Sequence, residues 1–241
     1  MTDTMTPMRK NDMSTKQWLR FMVASVWLVI GAFQAVEVFA AEVLTVNFDD
    51  VAQGQLPTSW TIDATNPGGR LAEWRVEPDS NAPSRPHVLT LTTVHDTSGS
   101  VFNLCWTRDI AFQDGEIEVK VRANTGMEDQ GGGLIWRVRD AANYYVARYN
   151  PLESNFRLYY VKDGERTQIA GARGIAIKAG EWFGIRITHH GARIEGYLNG
   201  KKYIEAQDET FKEVGGVGFW TKADAASSFD DLRVSVANYK F

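Results

Sequence analysis

The sequence predicts an all-β protein in which two antiparallel sheets pack face to face. Three observations carry this. The 241 residues hold many short alternating or β-branched runs bounded by Gly, Asn, Asp and Pro, the pattern of strands and tight turns. Beyond residue 40 no long stretch shows helical periodicity. Strands without covering helices bury their apolar faces only by packing sheet on sheet.

The chain begins with a targeting pattern. Lys16 and Arg20 precede the apolar run FMVASVWLVIGAF at 21–33, and Val38-Phe39-Ala40 follows it. A basic segment, an apolar segment and a small-residue junction in that order make a signal peptide. We expect it over residues 1–40, with cleavage after Ala40. The run is short beside the roughly 20 apolar residues of a membrane span, and Gln34 and Glu37 interrupt its extension. An uncleaved N-terminal anchor is the competing reading. Met13 offers a more ordinary start for such a leader than Met1. Processing would place the protein in the periplasm or outside the cell, not within the membrane.

Residues 41–241 contain no Pro/Ser-rich linker, charge block or low-complexity run, so a single sandwich domain is expected there. VLTVNFDD (43–50) alternates and reads as the first strand. A short strand follows around Trp60, and NPGG (66–69) is a turn. EWRVEPD (73–79) is a strand, and NAPSRPH (81–87), with two prolines, is extended loop. VLTLTTV (88–94) and VFNLCWTRD (101–109) are strands. In GEIEVKVRA (115–123), Ile117, Val119 and Val121 oppose Glu116, Glu118, Lys120 and Arg122, as in a sheet with one wet face.

Residues 131–161 read as three consecutive strands and hold the densest group of Arg, Tyr, Asn and Trp. KDGE (162–165) centres a two-residue hairpin on Asp163-Gly164, with RTQIA as its return strand. WFGIRITHH (182–190), a hairpin through Asn199-Gly200, GGVGFWTK (215–222) and SFDDLRVSV (228–236) complete about a dozen strands.

Composition narrows the function. The net charge is -4; removing residues 1–40 leaves 22 basic against 27 acidic groups, or -5. That argues against nucleic acid, whose binding needs a basic surface. Cys105 is the one cysteine, so no internal disulfide forms, and its apolar strand makes it a buried small hydrophobe. Aromatics reach 12% with eight Trp; such side chains fill sandwich cores and also stack on sugar rings.

Four segments together resemble a known family: GGGLIWRVRDAANYYVARYN, RLYYVKDGER, EWFGIRITHHGARIEGYLNGKKY and GGVGFWTKADAASSFDDLRV. They resemble secreted bacterial jelly-roll domains of the concanavalin A-like lectin/glucanase class, above all LamG-like domains and the 3-keto-disaccharide hydrolase domain. The match rests on Gly132, Gly133, Leu134, Trp136, Arg137, Asp140, Asn143, Tyr144, Tyr145 and Arg148, the Asn199-Gly200-Lys201 hairpin and the Phe229-Asp230-Asp231 strand. It implies a two-sheet antiparallel jelly-roll sandwich and leaves activity open, because this architecture hosts lectins, hydrolases, lyases and adhesion modules.

Strand parity sorts the residues of 131–161. Leu134, Trp136 and Val138 form one face of the first strand, while Gly133, Ile135, Arg137 and Arg139 form the other. Tyr144, Val146, Arg148 and Asn150 share a face in the second, as do Arg157 and Tyr159 in the third. Arg137, Arg148, Asn150, Arg157 and Tyr159 on one side would make a polar, aromatic-lined concave face. Guanidinium and amide groups meet sugar hydroxyl pairs there, and rings stack on C–H faces. Asn143 and Tyr144 join this candidate ligand set through the motif, and Trp220 and Lys222 extend it from the closing strand, where Trp220 reads equally well as core. The competing reading makes them ordinary solvated residues of an outer sheet face.

Catalytic signals are sparse. Glycoside hydrolysis needs two carboxylates flanking the bond. The Glu-x-Asp-x-x-Glu string of the jelly-roll glucanases is absent, and Glu116 and Glu118 read as a solvent face. Glu128 and Asp129, beside the glycine run, are the candidate acid and base. His189-His190 completes no HExxH or Cys/His set. The resemblance also raises a structural calcium ion, with Asp50 and Asp231 as candidate ligands; otherwise those acids hydrogen-bond turn N–H groups. No cofactor is expected. The leading expectation is an exported carbohydrate-binding, lectin-like domain. The alternatives are a glycoside hydrolase acting on disaccharides or 3-keto-disaccharides, and a structural or adhesion module.

Overall fold

The computed structural model of the chain describes residues 43–236 together with Met1. The leader and its cleavage point lie outside the described residues. The first strands are β1 (Val43–Val46), β2 (Trp60–Thr65), β3 (Glu73–Pro78), β4 (His87–Thr93) and β5 (Phe102–Phe112). Next come β6 (Gly115–Thr125), β7 (Gly132–Asp140), β8 (Asn143–Asn150), β9 (Asn155–Lys162) and β10 (Glu165–Arg173). The remainder are β11 (Trp182–His190), β12 (Arg193–Leu198), β13 (Lys201–Gln207), β14 (Gly215–Lys222) and β15 (Ala226–Val236).

These fifteen strands make two antiparallel sheets, as expected of a jelly-roll sandwich. Sheet A runs β13-β12-β11-β6-β15-β4-β3, and β1 pairs with the second half of β15. Sheet B runs β10-β9-β8-β7-β14-β5-β2. Both hairpins expected from Asp-Gly and Asn-Gly form, with φ of 52° and 82° at Asp163 and Gly164 and 48° and 78° at Asn199 and Gly200. Those left-handed values are what type I′ turns require.

The main core lies between the sheets. Sheet A supplies Ile117, Val119, Val121, Phe183, Ile185, Ile187 and Phe229; sheet B supplies Cys105, Leu134, Trp136, Tyr145, Tyr149, Leu158 and Phe219. β6 alternates buried and half-buried residues along nearly its whole length, so the wet face read from its sequence is present. Trp136 stacks on Tyr145 with centroids 5.6 Å apart, and its indole N–H donates to His189 Nδ1 at 3.0 Å. Burial, helped by the nearby Arg137 charge, pushes the His189 imidazole down to about 3. It is therefore a neutral core side chain.

One parity assignment fails. Leu134 and Trp136 enter the core, but Val138 joins a second cluster on the other side of sheet B. The cause is a bulge. Arg137 sits at φ 47°, and the register of β7 shifts against both neighbours at this point. An extra residue in one strand reverses the alternation beyond it.

Gly133 shows why the glycine run is there. A Cβ at this position would lie 1.8 Å from the Ala147 carbonyl oxygen and 2.7 Å from Arg148 Cα. Gly133→Ala must push β8 away from β7. We expect a cost of about 1–3 kcal/mol and a melting temperature lower by roughly 3–10 °C. An unchanged melting curve would refute this contact.

Asp230 is fully buried and accepts hydrogen bonds from Ser84 N at 2.9 Å and Ser84 Oγ at 3.0 Å. Burial raises its carboxyl from 3.8 to about 6, against the pull of those bonds. The folded state therefore holds this proton more tightly than the unfolded chain does. The stabilising contribution is complete below pH 3.8 and is lost as the pH rises through about 6. Between pH 4 and 7 the stability of wild type relative to Asp230→Asn should fall, by up to ~2 kcal/mol. Parallel denaturation curves at both pH values would rule this out.

Candidate functional site

In a simple two-sheet sandwich only the facing sides need be apolar. Sheet B departs from this. Its outer face carries a second apolar cluster: Phe102, Leu104, Trp106, Ile135, Val138, Tyr144, Val146, Tyr159, Val161 and Trp220. Gly218 lets Trp106 cross β14, since a Cβ there would lie 2.5 Å from Trp106 Cβ. Sheet B also curls. The Thr65 hydroxyl on edge strand β2 bonds the Ala141 carbonyl at 2.5 Å and the Tyr144 hydroxyl at 2.7 Å. Asn66 donates to the Gly164 carbonyl at 3.0 Å. One end of β2 thus meets the β7–β8 and β9–β10 turns, and the face between them is concave.

The polar part of this face is built from β8, β9, β10, the end of β14 and the loop before β7. Asp129 is its central acid. Its Oδ2 accepts from Lys222 Nζ at 2.7 Å, and its Oδ1 accepts from Asn150 Nδ2 at 2.6 Å and Gln130 N at 3.2 Å. Asn150 Oδ1 in turn receives the Leu152 and Glu153 N–H groups, so one amide shapes the β8–β9 turn and holds the acid.

Arg148 is buried, at 3% exposure. It donates to Asn155 Oδ1 at 2.5 Å, Glu153 Oε2 at 2.8 Å and the Tyr159 hydroxyl at 3.4 Å. Arg157 donates to the same hydroxyl at 3.3 Å and approaches Glu153 at 3.8 Å. Burial works to raise the Glu153 carboxyl, but bonds from Asn155 and Arg148 and the charges of Arg148 and Arg157 hold it at about 2. Glu153 is therefore ionised at any physiological pH, and its oxygens only accept.

Sequence reasoning placed Tyr144, Arg148, Asn150, Arg157 and Tyr159 on one face, and they lie there together. Lys222 reaches this face, and Trp220 is buried in its apolar cluster, packing on Phe102 at 5.2 Å between centroids. Asp129 is within this network. Glu128 is exposed on the same loop; a Cβ at Gly99 would lie 3.0 Å from its carboxylate and 3.9 Å from Lys222 Nζ.

Two residues of the expected set are elsewhere. The bulge turns Arg137 to the end of the sandwich. It donates there to the Gln113 carbonyl at 2.8 Å, the Phe211 carbonyl at 2.5 Å and Asp114 Oδ1 at 3.1 Å. Asn143, the first residue of β8, is taken up by the β7–β8 turn, donating to Asp140 and accepting from Asp163 N. For the calcium expectation, Asp50 and Asp231 fall in no group of three or more His, Cys, Asp or Glu able to hold a metal among the described residues. Their neighbours do the bonding: Asp49 accepts from His87 N at 3.0 Å, and Asp230 accepts from Ser84.

Two further residues of this face and its loop carry no sequence motif. Asp224, in the β14–β15 turn, accepts the N–H groups of Met127, Glu128 and Asp129 at 2.6, 3.1 and 2.8 Å. Burial opposes its ionisation, but these bonds hold its carboxyl below the usual range. The turn that follows Lys222 thereby fixes the loop that carries Asp129. Arg166 on β10 lies with its guanidinium carbon 4.5 Å from the Tyr159 ring centre and 4.9 Å from that of Phe102, stacked on the face through cation–π contact.

Solved structures share this architecture at low sequence identity. A carbohydrate-binding module, CBM66, from Bacillus subtilis matches with TM-score 0.57 and 20% identity over 74% of this chain and 96% of its own. The Bacillus licheniformis β-glucanase matches with TM-score 0.54 and 12% identity over 83% and 100%. A Thermotoga petrophila endo-1,3-β-glucanase (laminarinase) catalytic domain gives 0.53 and 12% over 81% and 99%. No curated protein matches the sequence. A family profile covers residues 59–235, almost the whole described sandwich, and by that match the chain belongs to the 3-keto-alpha-glucoside-1,2-lyase-like domain family.

Proposed function

We propose that the chain is an exported carbohydrate-binding domain whose ligand lies on the concave outer face of sheet B. The observation that carries this is the polar network of Asp129, Arg148, Glu153, Arg157 and Lys222, set beside Tyr159 and Trp220 and outside the inter-sheet core. Ionised carboxylates accept from sugar hydroxyls and guanidinium groups donate to them, while the buried Tyr159 and Trp220 rings hold Arg166 in place. A carbohydrate-binding module and two glucanases among the fold neighbours support a sugar ligand. The leader pattern supports action in the periplasm or outside the cell.

Family membership favours a second reading, in which the same face cleaves a keto-glycoside. A ketone at C3 acidifies the C2–H bond. A base that removes that proton drives formation of the C1–C2 double bond and loss of the C1 oxygen, which takes up a proton as it leaves. Asp129 is the candidate base and Lys222 its charge partner, 2.7 Å away; Glu128 is the exposed acid on the same loop. Glu153, held at about 2, serves grip in either reading, because so strong an acid does not carry a proton to a leaving group.

Titration of the chain with neutral disaccharides and their 3-keto forms, with product analysis by mass, tests both readings. Saturable binding without new products supports the lectin-like reading. Turnover of the 3-keto form that is lost in Asp129→Asn supports the lyase reading. Absence of binding to either sugar class removes neutral sugars as ligands of this face.

A further inference from the structure

Three arginines converge on one tyrosine of this face. Arg148 and Arg157 are direct partners in the β8–β9 register, and both guanidinium groups reach the Tyr159 hydroxyl. Arg166 lies over the Tyr159 ring. Like charges directly opposite each other on neighbouring strands cost stability. Here the compensation is incomplete, because Glu153 is the one carboxylate paired with any of the three among the described residues. Asp129 is already matched by Lys222.

The donors are also incompletely used. Arg148 Nε and Arg166 Nη1 are buried without a hydrogen-bond acceptor among the described residues. Buried donors are nearly always paired, so orphaned ones call for a partner absent from the chain itself. Arg157 and Arg166 are partly exposed, Arg157 with 21% of its side chain. Surplus positive charge and surplus donors thus coincide, from three adjacent strands, around one hydroxyl.

We infer that this cluster receives an anionic substituent, a carboxylate or a sulfate, so that the ligand is an acidic sugar rather than a neutral one. This rests on the reading of the concave face as a carbohydrate site and names the class of sugar it takes. Planar guanidinium forks match carboxylate and sulfate oxygens in pairs, and such groups accept without donating, which suits a site rich in donors.

Calorimetric titration of the chain at low ionic strength with methyl glucoside, methyl glucuronoside and methyl glucoside 6-sulfate tests the inference. At least one charged sugar should bind about tenfold or more tightly than methyl glucoside, as expected for one charge-assisted pair. The advantage should shrink in added salt and disappear in Arg157→Gln and Arg166→Gln while their melting curves stay near wild type. The two charged probes separate carboxylate from sulfate. Methyl glucoside binding as tightly as both charged sugars overturns the anionic assignment and leaves the carbohydrate site standing. Failure of all three to bind overturns the site and the inference with it. A preference that survives both substitutions shows that other groups bind the anion, and it also overturns the inference.

Discussion

Arg137→Ala lowers the melting temperature by roughly 10 °C and leaves sugar binding unchanged. The side chain is 1% exposed and joins three separate segments. It donates to Gln113 and Asp114 in the β5–β6 turn, to Phe211 before β14 and to Gly191 in the β11–β12 turn. Removing it takes the charge partner from Asp114, which keeps only the Gly191 N–H at 2.7 Å, and a donor from three carbonyl oxygens. The loss of one partner from a buried ion pair costs about 3–5 kcal/mol, and each kcal/mol moves the midpoint by roughly 2–4 °C in a domain of this size. Binding survives because the Arg137 guanidinium faces away from the concave surface. Thermal denaturation and calorimetry on one preparation check both halves. Wild-type stability, or lost binding without lost stability, would return Arg137 to the ligand face.

Arg148→Met has the opposite profile. It should weaken sugar binding by about 100-fold, the size of effect seen when one partner of a buried, hydrogen-bonded charge pair is truncated. The structural penalty is smaller, about 1–3 kcal/mol, because Glu153 is 44% exposed and rehydrates while Asn155 alone stays buried without its donor. Arg148→Lys should not rescue binding. A single ammonium cannot span Asn155, Glu153 and Tyr159 as the planar fork does. A folded Arg148→Met protein that binds within threefold of wild type would remove Arg148 from the site.

These two arginines show where strand reading works and where it stops. Both belong to one motif and both lie on strands with clean alternation. Arg148 is placed correctly by counting in twos, because β8 is regular against β9 throughout. Arg137 is misplaced by the same count because β7 bulges there, and a bulge depends on what the neighbouring strands do. Gly215 is part of the cause: a Cβ on it would lie 2.4 Å from the Arg137 carbonyl carbon. Two glycine-rich segments distant in sequence thus meet backbone to backbone, and neither shows this alone.

Arg166 was within reach of the sequence. A two-residue Asp-Gly hairpin pairs Lys162 with Glu165, and counting back sets Arg166 opposite Val161 on the face of Tyr159. Asp224 was not. Its role consists of three backbone N–H groups from a loop nearly a hundred residues earlier, which leave no mark on side-chain pattern. The wet face of β6 and both positive-φ hairpins were legible because each depends on residues adjacent in the chain.

The place of β15 in sheet A has a consequence for how the molecule comes into being. The last strand is an interior member, with β6 on one side and β4 and β1 on the other. A nascent chain ending before Ala226 therefore holds two unjoined fragments of sheet A, β13-β12-β11-β6 and β4-β3, and a first strand with nothing to pair with. Completion of sheet A waits for β15, and its contacts with β1 and β4 join segments far apart in the described residues, which slows folding.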